Sequence, residues 1–419
     1  MKLFVSSNPL KSAALICFCD LWKLGCPMKS THLFFLGSLL FSGTLVGADW
    51  PFFGGLNRDG ISLEPGLVVD WSDDREPSRL WKAKIGKGYS SVVVGGGCAY
   101  AVGYADGKNT VACLNAKTGA LIWKYKYICD KAAKYFDGGS RGTPALDGDI
   151  LYSLSHEGAL FAFDAKTGRV KWAKHLIKDF NGRRPTWGFS GCPLVVGNFL
   201  IVETGSAKGS LVSLDKRNGN LLWRSGSSEA GYSSPMLRPG NPAQGLVFDR
   251  EGLKGFNVSD GKVLFQYNHN TRYGVNAAQP VDLGSHVLIS SGYAKGAALV
   301  DLRGPKPASK WESEELACQM SGGVRKGDHY YAIHGQVGGR SRHATLRCLD
   351  IMSGKVLWEK AGFGMGTLIR VGSVLVILTD QGELALVASD PKGFKQLARF
   401  PILGGTDIWT PPSYSNGML

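Results

Sequence analysis

The sequence predicts an all-β fold, a β-propeller of eight four-stranded blades. Three observations predict it: a repeat of about 46 residues, 57 glycines in 419 residues, and 44 aromatic residues. The glycine content is roughly twice the usual share of about 7%, which fits many short strands joined by tight turns. A helical solenoid or a coiled coil would be poor in glycine, so both classes are excluded.

Each repeat contains an apolar strand, a glycine hairpin, a second apolar strand, an Asp/Asn-x-x-x-Gly turn and then an aromatic residue. In the second copy, Asp164 begins the turn, Gly168 ends it and Trp172 follows four residues later. Asp accepts hydrogen bonds from the turn amides, and Gly adopts the left-handed conformation that closes the turn. The aromatic residue on the outer strand should cover the seam between neighbouring sheets. The predicted structural repeat residues are Asp164, Gly168, Trp123, Trp172, Trp223, Trp311 and Trp358.

The spacing of the repeats predicts the number of blades. Seven intervals of about 46 residues separate the first-strand starts at Ser90 and Thr410, within the roughly 40–50 residues of one propeller blade. The eighth blade then needs both ends of the domain. We expect its outer strand at Leu80-Trp81 and its inner strand within Pro411–Leu419. The last blade would thus be closed by an N-terminal strand and incomplete at the C-terminus.

The first 48 residues are predicted to be an upstream segment followed by a signal peptide that begins at Met28. Lys29 supplies the positive charge, Leu33 to Val46 is apolar, and Ala48 ends a small-residue cleavage site. An uncleaved anchor is the alternative. We expect residues 49–419 to form a single propeller domain that is secreted or periplasmic.

Charge and cysteine usage exclude several classes of function. The net charge is +14, but basic residues are scattered and their runs reach only two residues, as in Arg183-Arg184. We therefore expect a basic, solvated surface, no nucleic-acid binding and at most peripheral membrane association, with attraction to an anionic partner such as a membrane surface or a polysaccharide as the alternative. We also expect a monomer. The six cysteines after Ala48 include no CxxC and no adjacent pair, which disfavours zinc and attached haem. Their disulfide state is left open.

Two motifs resemble a known family. Asp-Ala-Lys-Thr-Gly at 164–168, followed by Trp172, resembles the tryptophan-docking motif of pyrroloquinoline-quinone-like (PQQ-like) propellers. Trp50-Pro51-Phe52 through Gly60 resembles the start of secreted bacterial proteins of that repeat group. Phe53-Gly54-Gly55-Leu56 departs from it, because the family usually has arginine, glycine and proline there. The resemblance covers residues 50–419 and implies a superfamily that includes BamB-like scaffolds of outer-membrane protein assembly and quinoprotein alcohol dehydrogenases.

The resemblance implies two alternative functions. Quinone-dependent dehydrogenases of this fold carry an adjacent cysteine pair, calcium ligands and a catalytic aspartate, and this sequence has no adjacent cysteines. We therefore expect no cofactor and no metal, and we name no catalytic residue. The favoured function is a non-catalytic exported scaffold or binding module with a protein or glycan partner in the cell envelope. A PQQ-dependent oxidoreductase and a carbohydrate-binding propeller remain alternatives.

A candidate binding site lies where the innermost strands begin. In a propeller these strand ends converge on the axial channel, and aromatic side chains with a few polar groups are typical of a binding pocket. The alternative is that the same side chains only pack the channel and link neighbouring blades. The predicted site residues are Tyr89, Arg141, Trp187, Tyr232, Asn276, Gln319 and Trp409.

Overall fold

The computed structural model describes residues 49–69, 71, 77–131, 137–337 and 343–419. The expected signal segment, Met28–Ala48, lies outside these residues. Seven sheets follow one another along the described chain, and in each of them four consecutive strands pair antiparallel with their neighbours in sequence. The seventh sheet has a fifth, two-residue strand at 61–62 that pairs in parallel. This order is that of the predicted propeller.

The sheets share one plan, with a short inner strand, two middle strands and an outer strand. The first three sheets are β2 (Val93–Gly95), β3 (Cys98–Ala105), β4 (Lys108–Asn115) and β5 (Leu121–Ile128); β6 (Ala145–Asp147), β7 (Ile150–Leu154), β8 (Ala159–Asp164) and β9 (Val170–His175); and β10 (Leu194–Val196), β11 (Phe199–Ser206), β12 (Gly209–Asp215) and β13 (Leu221–Ser225).

The remaining four sheets repeat this plan. They are β14 (Met236–Arg238), β15 (Asn241–Phe248), β16 (Gly252–Asn257) and β17 (Val263–Asn268); β18 (Val281–Asp282), β19 (His286–Ser291), β20 (Gly296–Asp301) and β21 (Ala308–Ser313); β22 (Val324–Lys326), β23 (His329–His334), β24 (Thr345–Asp350) and β25 (Val356–Ala361); and β26 (Thr367–Val371), β27 (Val374–Leu378), β28 (Glu383–Ala388) and β29 (Gln396–Pro401). A two-residue strand, β1 (Ile61–Ser62), and a short helix, α1 (Leu176–Phe180), complete the described elements.

The hydrophobic core lies between successive sheets. All residues of β12 and β27 are buried, because these middle strands are covered on both faces. Outer strands instead alternate: in β5 Trp123 is buried while Leu121, Lys124 and Lys126 are exposed. Within the described residues, no helix is long and apolar enough to cross a membrane.

Tryptophan residues join most of the seams. Each indole Nε1 donates a hydrogen bond to a backbone carbonyl oxygen in the turn of the next sheet. In most pairs the acceptor is the residue that directly follows the Asp or Asn at the start of that turn. The pairs are Trp123 with Ala165 (2.8 Å), Trp172 with Lys216 (3.0 Å), Trp223 with Val258 (3.0 Å), Trp311 with Ile351 (3.0 Å) and Trp358 with Asp390 (2.8 Å).

The turn residues explain why the motif has its spacing. Asp164 Oδ1 accepts hydrogen bonds from Thr167 N (2.9 Å) and Thr167 Oγ1 (2.8 Å). Gly168 has φ +70, and a Cβ atom there would lie 2.6 Å from the Trp123 ring. Glycine is therefore required both for the backbone conformation and for the approach of the indole.

Two outer strands lack the tryptophan. Phe265 takes its place opposite Gly255 in the fourth sheet, and Ala398 takes it opposite Leu386 in the seventh. The sequence itself shows that the seventh repeat has no tryptophan. The seam after the seventh sheet therefore has no indole contributed from that sheet.

The N-terminal segment crosses the channel at the end opposite to the inner-strand starts. Trp50 pairs with Val94 of the first sheet, and Pro51 O accepts a hydrogen bond from Leu146 N of the second (2.9 Å). Arg58 Nη2 donates to Pro193 O before the third sheet (2.6 Å). β1 then pairs in parallel with β26 of the seventh sheet. This segment, residues 50–62, is called the crossing segment below.

The position of the predicted eighth blade holds few regular elements. Leu80-Trp81 forms no strand, but Trp81 Nε1 donates to Ala116 O of the first sheet (3.0 Å), as the other docking tryptophans do. Ser415 and Met418 form a single antiparallel bridge. The described residues complete seven sheets, so the number eight stays a prediction. The single-domain boundary at residues 49–419 stays a prediction as well.

Candidate functional site

Six of the seven predicted site residues line one axial cavity of about 150 Å³. This cavity, called the axial pocket below, lies where the inner strands begin, because each repeat places its small or proline-bearing start there. Phe53, Tyr293 and four serines are among the other residues of its wall. The six predicted residues are Tyr89, Arg141, Trp187, Tyr232, Gln319 and Trp409.

Aromatic rings form two sides of the axial pocket. Tyr89 stacks on Trp409 with ring centroids 5.2 Å apart and an angle of 17°. Trp187 meets Tyr232 edge to face at 5.9 Å, and the Trp187 backbone N donates to Tyr232 Oη (3.3 Å). Burial raises the pKa of Tyr232 to about 12, so its hydroxyl stays protonated and can donate a hydrogen bond. The walls thus offer flat apolar faces with polar edges.

Arg141 is the cationic group of the axial pocket. Its guanidinium lies 5.5 Å from the centroid of the Tyr89 ring. Its Nε and Nη2 atoms are buried and have no hydrogen-bond partner among the described residues. Burial lowers the pKa of Arg141, but a guanidinium remains charged at any physiological pH. None of the described residues that line the pocket is Asp or Glu. A buried cation without a counterion is costly, and a bound anion would relieve that cost.

Gln319 and Tyr293 form a fixed polar pair. Gln319 Nε2 donates to Tyr293 Oη (2.7 Å), and Gln319 Oε1 accepts a hydrogen bond from Val337 N (2.6 Å). Tyr293 was not predicted from the sequence. It has φ +61, a left-handed conformation that is uncommon outside glycine, and it follows β19 in a turn. An aromatic residue two positions after the end of that strand was the one available signal.

Asn276, the seventh predicted site residue, is not among the residues that line the axial pocket. The side chain is fully buried. Its Nδ2 donates to Asp249 O (2.7 Å) and His269 O (3.1 Å), while its Oδ1 accepts from Ser291 Oγ (2.6 Å). Since every polar atom of this amide is used, Asn276 links the fourth and fifth sheets, which was the alternative considered for the whole set.

The crossing segment closes the far side of the axial pocket. Phe53 lines both the axial pocket and a second cavity of about 380 Å³ on the other side of the segment. Phe53 belongs to the stretch that departs from the usual start of the repeat group. The second cavity is bordered by Asn57, Arg58, Asp59 and Arg370. Burial raises the pKa of Asp59, and the pairing of the segment with β26 fixes it beside Arg370.

The residues present fit a calcium-supported quinone poorly. In the described part of the chain, no group of three His, Cys, Asp or Glu side chains could hold a metal ion. The six described cysteines are free thiols, and no two of them are adjacent in the sequence. The stacked Tyr89 and Trp409 and the cation of Arg141 could contact a flat anionic ring, but the pocket wall supplies no carboxylate for a metal.

Repeated four-stranded sheets, tryptophan-docked seams and a central pocket define the class of this protein, a β-propeller built from PQQ-like repeats. The chain belongs to the family described as outer membrane protein assembly factor BamB, whose model matches residues 107–360.

Curated relatives include both kinds of protein that the repeat motif implied. The outer membrane protein assembly factor BamB of Yersinia pestis is 22% identical over 279 residues, which cover 64% of this chain and 65% of the relative. The quinohemoprotein alcohol dehydrogenase ADH IIB of Pseudomonas putida is 30% identical over 139 residues, which cover 30% of this chain and 19% of the relative. The chain thus spans less than two thirds of the length of either relative.

Solved structures share the fold. A europium-containing methanol dehydrogenase superposes with a TM-score of 0.65 at 13% identity, covering 87% of each chain. BamB from Moraxella catarrhalis superposes with a TM-score of 0.55 at 15% identity, covering 78% of this chain and 89% of that one. The predicted all-β propeller and the PQQ-like resemblance are both confirmed.

Proposed function

We propose that this protein is a non-catalytic, exported propeller of the cell envelope that binds a ligand or a partner group through its axial pocket. Membership of the BamB family supports an envelope role. The observation that carries the binding role is Arg141, a half-buried cation whose Nε and Nη2 atoms are buried and unpartnered among the described residues, in a pocket without a described carboxylate. The group it would bind is an anion, such as a carboxylate or a phosphate, attached to a flat apolar body that fits between the aromatic walls.

Intrinsic fluorescence tests the binding role directly, since Trp187 and Trp409 line the pocket. The full chain is titrated with benzoate, citrate, inorganic phosphate and a neutral glucan oligosaccharide. We expect a saturable change with at least one anion, and Arg141→Leu should weaken that binding by about 30-fold or more. Arg224→Leu removes the same charge from an exposed position and should leave binding unchanged. A response to the glucan alone, unaffected by Arg141→Leu, would support the carbohydrate-binding alternative instead.

Affinity purification tests the envelope role. Tagged protein is isolated from native envelope fractions of its source cells, and bound proteins are identified by mass spectrometry. Partners recovered with the parent chain and lost with Arg141→Leu would connect the pocket to the scaffold role. Partners retained by that variant would place the scaffold surface elsewhere, and the absence of any enriched partner would contradict the scaffold role.

Export itself remains a proposal that one measurement can check. N-terminal sequencing of the mature protein should begin Asp49-Trp50-Pro51 if the segment Met28–Ala48 is cleaved. A protein that retains residue 1 and stays in the cytosol would contradict export.

The second candidate function is a PQQ-dependent oxidoreductase, which the match to quinohemoprotein dehydrogenases favours. We propose the non-catalytic function over it because the described pocket wall has no carboxylate and the described residues offer no metal-binding group. Incubation with pyrroloquinoline quinone and Ca²⁺ should leave alcohol-dependent dye reduction at background. Turnover that requires added quinone would establish the oxidoreductase instead.

A further inference from the structure

The crossing segment supplies acceptors for backbone amides that face the far end of the channel. In each sheet, the amide belongs to the residue before the pair that closes the first hairpin. It points away from the sheet, because that residue exchanges no hydrogen bonds with its strand partner. Three such amides donate to the crossing segment: Val94 N to Trp50 O (2.9 Å), Leu146 N to Pro51 O (2.9 Å) and Arg370 N to Gly60 O (2.8 Å). Trp50 and Pro51 are consecutive, so two successive carbonyls serve two neighbouring sheets.

Two other sheets present the equivalent amide without an acceptor. Arg325 holds this position in the sixth sheet and Asp282 holds it in the fifth, one residue before the hairpin closes. Among the described residues, neither backbone N–H has a hydrogen-bond acceptor. Both residues line the second cavity, of about 380 Å³, which the crossing segment borders. The fifth and sixth sheets are neighbours, so their two amides stand in the same relation as those of the first and second sheets.

Guanidinium groups give the second cavity a cationic wall. Arg325 donates through Nε to Gly327 O (2.7 Å), and its two terminal nitrogens have no partner in the described part of the chain. Arg370 donates through Nε to Arg325 O (3.0 Å) and through Nη1 to Gly372 O. Its Nη2 atom also has no described partner. Donors on side chains therefore lie beside the donors of the backbone.

The two carboxylates of the cavity wall do not neutralise these groups. Arg238 binds Asp282 through Nε and Nη2, at 2.9 and 3.3 Å, so this carboxylate already has its counterion. Asp59 Oδ1 accepts a hydrogen bond from Ile61 N (3.0 Å). Asp59 is thus one acidic group against the three arginines that line the cavity. An excess of positive charge beside free backbone donors favours a ligand with carbonyl oxygens and a carboxylate.

We propose that the second cavity binds a short acidic segment of another polypeptide, which crosses the fifth and sixth sheets as Trp50-Pro51 crosses the first and second. Two successive carbonyls of the segment accept hydrogen bonds from Asp282 N and Arg325 N, and a neighbouring acidic side chain binds the Arg325 guanidinium. The contact needs only two peptide units and one carboxylate, which suits a cavity of about 380 Å³. This inference concerns a different site from the axial pocket and does not depend on the proposed function.

Isothermal titration calorimetry of the full chain tests the proposal with an unlabelled peptide. The probe is Gly-Val-Pro-Glu-Gly with an acetylated N-terminus and an amidated C-terminus, so that glutamate is its one charged residue. We expect saturable binding, which glutamine in place of the glutamate should weaken by at least about tenfold and lysine should abolish. Equal binding of the three peptides would overturn the acidic part of the proposal. Displacement of the probe by an equal concentration of acetate would indicate a site for free carboxylates and overturn the peptide part.

Hydrogen exchange at single-residue resolution tests the backbone part of the proposal. The amides of Asp282 and Arg325 should exchange fast in the free protein, because they have no described acceptor. Saturating probe should slow both amides by at least about tenfold. The amide of Arg370 is already bonded to Gly60 O and should keep its rate. Unchanged exchange at Asp282 and Arg325 would show that the peptide does not use these amides, which would overturn the proposal.

Variants locate the binding site of the probe. Arg325→Leu should weaken binding by at least about tenfold, and Arg325→Glu should prefer the lysine peptide. Asn57 is exposed on the border of the cavity, so Asn57→Trp should obstruct it, and this variant serves if those at Arg325 do not fold. Arg169→Leu removes an exposed charge from a turn at the same end of the propeller and should leave binding unchanged. Absence of saturable binding, parental binding by both Arg325→Leu and Asn57→Trp, or loss with Arg169→Leu would each overturn the proposal. Loss with Arg141→Leu would place the peptide in the axial pocket and overturn it as well.

Discussion

The seam between the first and second sheets and the seam between the seventh and first sheets are built differently. In the first case, Trp123 packs over Gly168, donates to Ala165 O and contacts Phe163 at 5.9 Å. In the second case, Ala398 stands at the tryptophan position of the seventh sheet, and irregular residues border an apolar cleft. Both seams join the same kind of sheet. The fourth sheet packs on the fifth with Phe265 in place of an indole. What distinguishes the seam between the seventh and first sheets is therefore the absence, among the described residues, of a complete sheet between them.

The largest expected effect is on the closed seam. Trp123→Ala should lower the free energy of unfolding by about 3–5 kcal/mol, because a buried indole and its hydrogen bond are lost. Trp81→Ala should cost only about 1–2 kcal/mol, since Trp81 is only partly buried and lines a cavity of about 320 Å³. Urea denaturation of both variants measures the two losses in free energy of unfolding. Equal losses would show that the two seams contribute equally.

Hydrogen exchange should separate the two seams next. Backbone amides of residues 413–418 should exchange about 30-fold faster or more than those of β7 and β8, because one bridge and the side chain of Glu64 hold them in place of a strand ladder. Mass spectrometry of peptic fragments measures this ratio. Uniform protection around the ring would contradict the open seam.

A glycine pair tests whether the docked indole sets the turn. Gly168→Ala should destabilise the protein by about 2–3 kcal/mol, from the left-handed backbone and from contact with the Trp123 ring. Gly148→Ala has the same backbone conformation but open space around its Cβ, so only about 1 kcal/mol is expected. Thermal unfolding of both variants measures the two losses of stability. Equal shifts in melting temperature would show that contact with the Trp123 indole does not contribute to the requirement for Gly168.

The seam between the third and fourth sheets contains charged side chains as well as a docked tryptophan. Glu203 accepts a hydrogen bond from Gly231 N (3.0 Å), while Lys254 and Asp249 pair at 2.8 Å nearby. Burial, and then the charge of Asp249, raise the pKa of Glu203 to about 8. Between the ordinary pKa of a glutamate and about pH 8, Glu203 is therefore protonated in the folded state and ionised in the unfolded state.

The free energy of unfolding should consequently fall as the pH rises from about 5 to 8, because the folded state loses the Glu203 proton over that range. Glu203→Gln imitates the protonated form and should flatten that fall. Glu251→Gln makes the same charge change at a more exposed position and should keep the fall. Denaturation midpoints at pH 5, 6, 7 and 8 give the comparison.

The repeat frame could be predicted because its determinants are local. Asp164, Gly168 and Trp172 lie within nine residues, and the turn they make requires those residue types whatever surrounds it. The axial side chains were less predictable. Asn276 precedes an inner strand as its counterparts do, but its partners Asp249, His269 and Ser291 come from other parts of the chain. Tyr293 reaches the pocket because its own backbone is left-handed, and a left-handed position occupied by tyrosine cannot be recognised from the sequence as one occupied by glycine can.

The predicted strand at Leu80-Trp81 shows the same limit. The aromatic residue is in the predicted place and makes the predicted type of contact, yet the backbone around it is not a strand. A tryptophan can dock through its own indole, whereas a strand needs a neighbour with which to pair. Neighbouring strands are supplied by tertiary structure, which a local motif does not contain.

The crossing segment gives the axial channel a direction. Residues 50–62 contact the first, second, third and seventh sheets, and Phe53 separates the axial pocket from the cavity beyond it. The two ends of the channel are therefore unlike. One end carries the aromatic residues and Arg141, and a peptide segment lies across the other. A polymer that enters at the first end meets the crossing segment, so a terminus or a side group is the part that can reach Arg141.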